Sequence, residues 1–439
     1  MHSNRSLASA LATAFLQGPW TADDISLRIH ELMDRRWRWI RPLAVRVVQH
    51  SFGTPRPRHA EVAAFIRRDS GFLRACRKHE LCVENWLTGQ PTMRPVDVAA
   101  SWQLPKIRTT DELANWFGIR IGDLDWFADC RLLGYKQHRD RLGHYRYRAL
   151  NKRFGHVRLI ESPKPRLKSI QCSILTGILD LVPPHTAAQG FRRGTSICTF
   201  ATPHVGKKVV LRLDLRDFFP SVSLAQVQAL FRTIGYPEKI ADLLAGLCTN
   251  ATPHEIWERH QVPETESLRE ARRRYAKPHL PQGAPGSPAL ANLCAYRLDC
   301  RLSGLAHAAG AVYTRYADDL AFSGDEDFQR CARRFYIHVC AIVMEEGFSV
   351  HYRKSRIMHQ GVRQQLAGVV VNEKLNVRRS DYDQLKAVLT NCIRFGPDSQ
   401  NRYGHKDYRR HLEGRIAFVQ MVNPQRARRL YELYQRIQW

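Results

Sequence analysis

Acidic residues are scarce in this chain, and its cysteines form no pair at the spacing that a metal knuckle or a redox motif requires. Asp and Glu number 41 against 68 Lys and Arg, which leaves a formal net charge of +27 over 439 residues. That deficit excludes an ordinary metabolic enzyme as the default reading. The chain is 44 % hydrophobic and 10 % aromatic, so a long disordered basic tail is excluded as the source of the charge. The cations therefore sit on folded surface. Such a surface suits a polyanionic partner, because each Lys or Arg placed against a phosphate releases condensed counterions. Nucleic acid is the first expectation and an acidic membrane surface the second.

The eleven cysteines are odd in number, run from Cys76 to Cys392, and include no C-x-x-C pair, which reads as reduced thiols. The cluster Cys76, His79 and Cys82 lacks a fourth ligand nearby, and helical spacing accounts for it. The sequence has no secretory signal, no apolar run of bilayer length, no internal repeat and no low-complexity tract. A soluble, cytoplasmic chain with no membrane partner is expected.

Residues 1 to about 100 read as helical. Thr21 to Asp24 open a segment with Ile25, Ile29, Leu32 and Met33 at helical spacing. The run Arg35, Arg36, Trp37, Arg38, Trp39 and Arg41 either stacks on bases and pairs with phosphates, or supplies tryptophans to a small helical core; both readings stay open. Thr109 with Glu112 starts another helix, and a further one begins near Asp123. From Tyr145 the period changes to that of a β-hairpin, with a turn over residues 151–155 and a return strand through Val157 to Ile160. Lys164, Arg166 and Lys168 lead into an apolar helix, and a basic hairpin beside a basic helix start suits a clamp for phosphates. The centre alternates: a strand over Val209–Leu215, a helix over Ser223–Ile234, one helix over Pro288–Ala309, and two strands around a tight turn within Val312–Phe322. The polar stretch 249–277, including Arg272, Arg273 and Arg274, is expected to be an exposed insertion. A long helix after Asp327, short strands near Phe348–Tyr352 and Leu366–Val371, and a helical basic tail complete an α+β reading.

Chemistry concentrates at two places. In Val209-Val-Leu-Arg-Leu-Asp-Leu215, alternation puts the leucines on one face and Asp214 on the other. In Tyr313-Thr-Arg-Tyr-Ala-Asp-Asp-Leu-Ala-Phe322, Asp318 and Asp319 fall at the apex of the predicted hairpin. Adjacent like charges are unfavourable unless solvated or neutralised, and a dication is one neutraliser with a use. Three carboxylates from two β elements suit two magnesium ions that serve an in-line phosphoryl transfer.

Three strings in order, Leu213-Asp-Leu-Arg-Asp-Phe-Phe-Pro-Ser-Val222, Leu280-Pro-Gln-Gly-Ala-Pro-Gly-Ser-Pro288 and Tyr316-Ala-Asp-Asp319, resemble the palm motifs of reverse transcriptases. The resemblance runs from Arg108 to the C-terminus. Gly190-Phe-Arg-Arg-Gly-Thr-Ser-Ile197, Ala201-Thr-Pro-His-Val-Gly206 and Leu366-Ala-Gly-Val-Val-Val-Asn372 resemble bacterial retron enzymes in particular. The chain departs from the retron pattern at Phe200, where Asn is common, and at Leu366-Ala-Gly368, where Val-Thr-Gly is common.

The resemblance implies an α+β right-hand polymerase: a helical N-terminal extension (1–105), fingers (106–205), a palm (206–375, with a fingers segment at about 223–290) and a thumb (376–439). It makes Asp214, Asp318 and Asp319 the metal-binding catalytic carboxylates, with two Mg2+ ions. It implies nucleotide contacts from Lys152, Arg158, Asp217, Phe218, Phe219, Gln282 and Lys354. Among these, Phe219 is the steric gate against a ribose 2′-hydroxyl, Gln282 touches the incoming nucleotide, and Lys354 lies near the pyrophosphate. Arg166, Lys168, Arg415, Arg426, Arg428 and Arg429 are the expected contacts to nucleic acid. The implied partners are dNTPs, a structured noncoding RNA as template and primer, the RNA/DNA hybrid, and an effector protein encoded nearby. About sixty residues follow the palm, too few for an ordinary ribonuclease H domain, so a host ribonuclease H is expected to remove template. The implied product is a short single-stranded DNA linked to RNA, in the service of antiphage defence. The alternatives are a different defence-associated enzyme, a group II intron type, and a noncatalytic RNA-binding scaffold.

Overall fold

Side-chain caps set the first helices. Thr21 Oγ1 accepts from Asp24 N (3.2 Å) and opens the helix Ala22–Met33, and Thr109 Oγ1 accepts from Glu112 N (3.2 Å) to open Thr110–Phe117, which Gly118 ends at φ 65°. The structure, a computed structural model, describes residues 4–50, 57–84, 92–132, 143–151, 157–259 and 266–439. The chain divides into two compact units, residues 1–133 with 224–247, and 134–223 with 248–439. Among the described residues no helix is long and apolar enough to cross a membrane.

In the first unit, the helices Asn4–Leu16, Ala22–Met33, Ile40–His50, His59–Arg68 and Ser70–Lys78 bury Leu11, Phe15, Ile25, Ile29, Ile40 and Phe72 in one apolar core. Each such side chain contributes roughly 1.5–3 kcal/mol. Trp37 and Trp39 pack partly buried against this core, with Trp39 edge-on to Phe72 at 5.8 Å. The structure thus favours the core reading of the tryptophans, and the Arg35 guanidinium covers Trp37 at 4.6 Å. Cys76 is half-buried in the same core.

The second unit begins with an antiparallel hairpin, β1 (Tyr145–Asn151) and β2 (Val157–Pro163); the residues of its turn lie outside the described ones. Its main sheet contains β3 (Val209–Asp214), β4 (Val312–Tyr316), β5 (Asp319–Gly324) and β6 (Arg356–His359) in the order β4-β5-β3-β6, antiparallel throughout. The registers pair Leu211 with Phe322, Leu213 with Leu320 and Asp214 with Asp319. Alternation therefore divides the sheet into two faces. Leu211, Leu213, Tyr313, Arg315, Leu320 and Phe322 meet the helices Tyr296–Ala308 and Glu326–Glu345, with Phe322 edge-on to Phe335 at 5.1 Å. Arg212, Asp214, Thr314, Asp319 and Ser323 occupy the other face.

That second face is tied down by His204, which is fully buried. Thr314 donates its hydroxyl to Phe200 O (3.0 Å), so its oxygen accepts from His204 Nε2 (2.7 Å), and Nδ1 accepts from Ser323 Oγ (2.6 Å). The ring is neutral and bridges β4 to β5. The string Ala201–Gly206 thereby clamps the hairpin that carries the paired aspartates.

Three expectations need correction. The stretch 249–277 is no exposed insertion: Ile256, Trp257, Leu268 and Tyr275 are buried against Val157 and Leu159, because its helices are amphipathic. The single helix over 288–309 is two, Ser287–Cys294 and Tyr296–Ala308, broken where Ala295 leaves helical geometry at ψ 4°. Residues 348–352 form no strand beyond the bridge of Val350 to Leu215; the chain turns at His351–Ser355 and pairs only from Arg356. The short strands expected near Leu366–Val371 are present, as the two-residue β7 (Gln365–Leu366) and β8 (Val369–Val370), closed by Ala367 at φ 44° and Gly368 at φ 90°.

Burial lowers the His204 pKa from 6.5 to about 3, with Lys207 adding to the shift. Below pH 6.5 the unfolded chain takes up a proton that the folded chain refuses, so stability falls as the pH falls from 6.5 towards 3. Between pH 7.5 and 5.5 this histidine accounts for on the order of 1 kcal/mol of lost stability. Denaturant titrations at both pH values should show a stability change between them that is less unfavourable in His204→Gln than in the natural chain, by about that amount.

Candidate active site

The end of β3 places Asp214 directly opposite Asp319 of β5, and like charges so paired repel. Each has found a cation. Arg212, diagonal to Asp319 across the ladder, forks onto it with Nε at 2.9 Å and a terminal nitrogen at 2.7 and 2.8 Å from the two oxygens. Lys354 Nζ donates to both oxygens of Asp214, at 2.8 and 3.0 Å. The turn His351–Ser355 delivers this lysine, because His351 N donates to Asp214 O (2.7 Å) and Lys354 N to His351 O (2.9 Å). Asp318 sits on the hairpin turn after Ala317, which is left-handed at φ 56°. Its carboxyl is pushed up to about 6 by burial and by the charges of Asp214 and Asp319. Burial likewise raises Asp319, against the pull of Arg212.

Among the described residues no three His, Cys, Asp or Glu side chains already stand as a metal cage. Three carboxylates at one end of the sheet are the hard oxygen donors that a divalent cation takes; Lys354 and Arg212 now hold Asp214 and Asp319, so a cation there would share or displace them, while Asp318 has no ion pair among the described residues.

Asp214 and Asp318 border a cavity of about 460 Å³ lined also by Arg158, Phe191, Asp217, Phe218, Phe219, Gln282 and Lys354, with Arg216, His351 and Arg353; Asp319, forked by Arg212, is not in its lining. Eight of the ten residues expected to act in catalysis or nucleotide binding therefore line one cavity. The Arg158 Nε is buried with no hydrogen-bond partner. Asp217 accepts from Arg274 (2.8 Å). Phe218 is buried between Phe348 (5.7 Å) and the Arg315 guanidinium (5.6 Å), whereas Phe219 faces the cavity half-buried. Lys152 lies outside the described residues. The remaining cations stand apart from this cavity. Arg166 and Lys168 are exposed on the helix Pro165–Gly177; Arg415 lines a separate cleft on Tyr408–Val422; Arg426 covers Tyr382 at 5.1 Å; Arg428 and Arg429 are exposed on Pro424–Gln435.

Two polar networks that the sequence did not disclose hold this site. Arg315 and Asp299, both fully buried, share a forked ion pair at 2.8 and 2.6 Å. The same guanidinium donates to Asn292 Oδ1 (2.9 Å) and to Ala317 O (3.2 Å), the carbonyl just before Asp318. Asn292 in turn donates to Gly190 O (2.8 Å), and a Cβ on Gly190 would stand 2.6 Å from Ala317 N, so only glycine lets the two backbones meet. The second network centres on Glu161, buried in β2. It accepts from Asn250 (2.8 Å), Thr252 (2.7 Å) and His279 Nε2 (2.9 Å), while His279 Nδ1 donates to Lys277 O (2.7 Å). Burial opposes charge on this histidine, but Glu161 and the two hydrogen bonds raise its pKa on balance. Glu161 N donates to Gln282 O (2.9 Å), which sets the Leu280–Gly283 loop against β2.

Comparison with known proteins matches residues 150–387 to the family model described as reverse transcriptase (RNA-dependent DNA polymerase). The chain is 40 % identical over 338 residues to the Retron Mx65 reverse transcriptase of Myxococcus xanthus, covering 75 % of this chain and 72 % of that protein. It is 36 % identical to the Retron Mx162 reverse transcriptase of the same organism (74 % and 66 % covered), and 30 % identical to the Retron Ec86 reverse transcriptase of Escherichia coli (62 % and 74 %).

Removing one partner of a fully buried ion pair leaves the other uncompensated, at a cost of about 3–5 kcal/mol. Chemical denaturation of Arg315→Met should show a loss of that size. The double variant Arg315→Met with Asp299→Leu should recover a large part of it.

Proposed function

The chain belongs to the reverse transcriptases, as an RNA-directed DNA polymerase of retron type, and from that premise we propose that it copies a structured noncoding RNA into a short single-stranded DNA that stays joined to the RNA. The observation that carries this reading is the pairing of Asp214 with Asp319 beside Asp318, at the edge of a cavity whose other walls carry Arg158, Arg216, Arg353 and Lys354. Carboxylates at the floor and cations on the walls are what a nucleoside triphosphate and its metal require. In the hand architecture we assign residues 106–205 to fingers, 206–375 to palm, 376–439 to thumb and 1–105 to a helical extension.

We assign Asp214, Asp318 and Asp319 as ligands of two Mg2+ ions, which when bound would supply positive charge to an attacking 3′-hydroxyl and to the departing pyrophosphate. The protein's own groups do the rest. Arg158, whose Nε has no hydrogen-bond partner among the described residues, neutralises the triphosphate, a role we assign also to Lys152. Lys354 sits within reach of the leaving pyrophosphate and can give it a proton. Gln282, backed by Glu161, meets the incoming nucleotide. Phe219 fills the space that a ribose 2′-hydroxyl would need, so only a deoxyribose fits. Asp217, paired with Arg274, and Phe218, packed under Arg315, complete the nucleotide contacts from the cavity lining. Arg166, Lys168, Arg415, Arg426, Arg428 and Arg429 track phosphates of the template and hybrid, in keeping with a net charge of +27. A short DNA fixed to its RNA, held by this protein beside an effector encoded nearby, fits a role in antiphage defence.

Expression with the native flanking locus, followed by extraction of nucleic acid, tests the proposal. A DNA copied from an adjacent RNA, with a mobility shift on ribonuclease treatment, should be recovered. It should vanish in Asp318→Asn with Asp319→Asn while that variant still binds the same RNA within about twofold, since binding rests on cations elsewhere. Synthesis on an added template without any RNA-linked product would leave the polymerase and overturn the linked product. For the gate, Phe219→Val should lower discrimination against ribonucleotides by about tenfold or more, which corresponds to ~1.4 kcal/mol of differential binding; single-nucleotide incorporation in competition measures it.

A further inference from the structure

Phe191 behaves unlike any large apolar residue around it. It is 48 % exposed, yet it lines the cavity, and its backbone is left-handed at φ 59°. A bulky side chain in that region of backbone space is an outlier, and such outliers persist only where the surroundings over-determine them. Here the surroundings do so on both sides. Arg315 N donates to Ala187 O (2.8 Å), Gln189 N donates to Arg315 O (2.7 Å), and Gly190 is pressed against Ala317 with its carbonyl held by Asn292. Downstream, the Thr195 hydroxyl folds back on Gln189 O at 2.7 Å and closes the loop. The segment is thus locked to the turn that bears Asp318, and Phe191 is delivered into the cavity wall facing Phe219. The two ring centroids are 5.9 Å apart, and Tyr316 stands 6.5 Å away on the other side.

We propose that Phe191 is a specificity-determining residue, the second wall of the sugar pocket. It touches the sugar of the incoming nucleotide and keeps the Phe219 ring from turning aside. This rests on the reading of Phe219 as the gate. A gate made of one half-buried ring excludes a hydroxyl only if the ring cannot yield. Phe218 lies 5.7 Å from it, and Phe191, at 5.9 Å, lines the cavity with it. Without Phe191 the ring gains room to swing, and a ribose would be admitted although Phe219 is intact.

The test measures kcat/KM for a dNTP and the matching rNTP on a primed RNA template, for the natural chain, Phe191→Ala, Phe191→Leu, Phe219→Val and the double variant Phe191→Ala with Phe219→Val. Phe191→Ala should lower the dNTP to rNTP ratio by on the order of tenfold, and Phe191→Leu, which keeps most of the volume and guards against a folding failure, by less. The double variant should fall short of the product of the single effects, as expected of rings that act on each other. An unchanged ratio in both Phe191 variants, with Phe219→Val relaxed, overturns this proposal and leaves the gate. An unchanged ratio in all variants overturns both. Equal loss of kcat/KM for both nucleotides in the Phe191 variants also overturns it, because a merely structural ring would do that.

Discussion

The Arg315–Asp299 ion pair is the constraint on which the rest of the site depends. Both groups are buried completely, and two charges taken out of water destabilise a fold unless nearly every donor and acceptor is answered. They are answered. Asp299 also accepts from Tyr313 Oη (2.8 Å), and Arg315 reaches Asn292 and the carbonyl of Ala317. One guanidinium thereby joins the helix Tyr296–Ala308, the helix Ser287–Cys294, strand β4 and the turn bearing the adjacent aspartates. A left-handed alanine holds its shape there because it is tied from beneath.

Above that frame the electrostatics run the other way. The leucine face of the sheet is satisfied, while the opposite face concentrates like charge at its end. Arg212 and Lys354 relieve Asp319 and Asp214, and Asp318 bears what remains. A site whose own cations satisfy only part of its anionic charge is prepared for an added cation, and this preparation costs stability that the His204 bridge and the buried ion pair help to offset. His204 acts on the same face as the aspartates and links the two strands that carry them. The retron-like string around it is therefore a clamp for the hairpin that carries the adjacent aspartates.

The Glu161 network does for the nucleotide side what Arg315 does for the aspartates. It fixes β2 to Asn250, Thr252 and His279, and through the backbone to Gln282. Arg158 and Gln282, far apart in sequence, consequently line one cavity. Arg274 belongs to this scheme as well: it comes from a run of arginines that reads as solvated surface, yet it pairs with Asp217 because its helix turns Leu268 and Tyr275 inward.

Much of this was legible in the chain itself. Alternation in Val209–Leu215 separates Asp214 from the leucines, threonine caps mark helix starts, and the three ordered strings identify the chemistry, because these are local patterns set by the geometry of strands, helices and turns. The residues that hold the pattern in place were not legible. Arg315 in its strand, Glu161 in its hairpin and His279 before its loop look like ordinary polar residues, since their partners lie 16 and 118 positions away and only folding brings them together. The same holds for Phe191, whose place in the cavity follows from the contact of Gly190 with Ala317. Sequence by itself determined which groups could carry the reaction. Tertiary structure decided which are held, which are buried and which line the cavity, because burial and long-range hydrogen bonding exist only between segments that have already met.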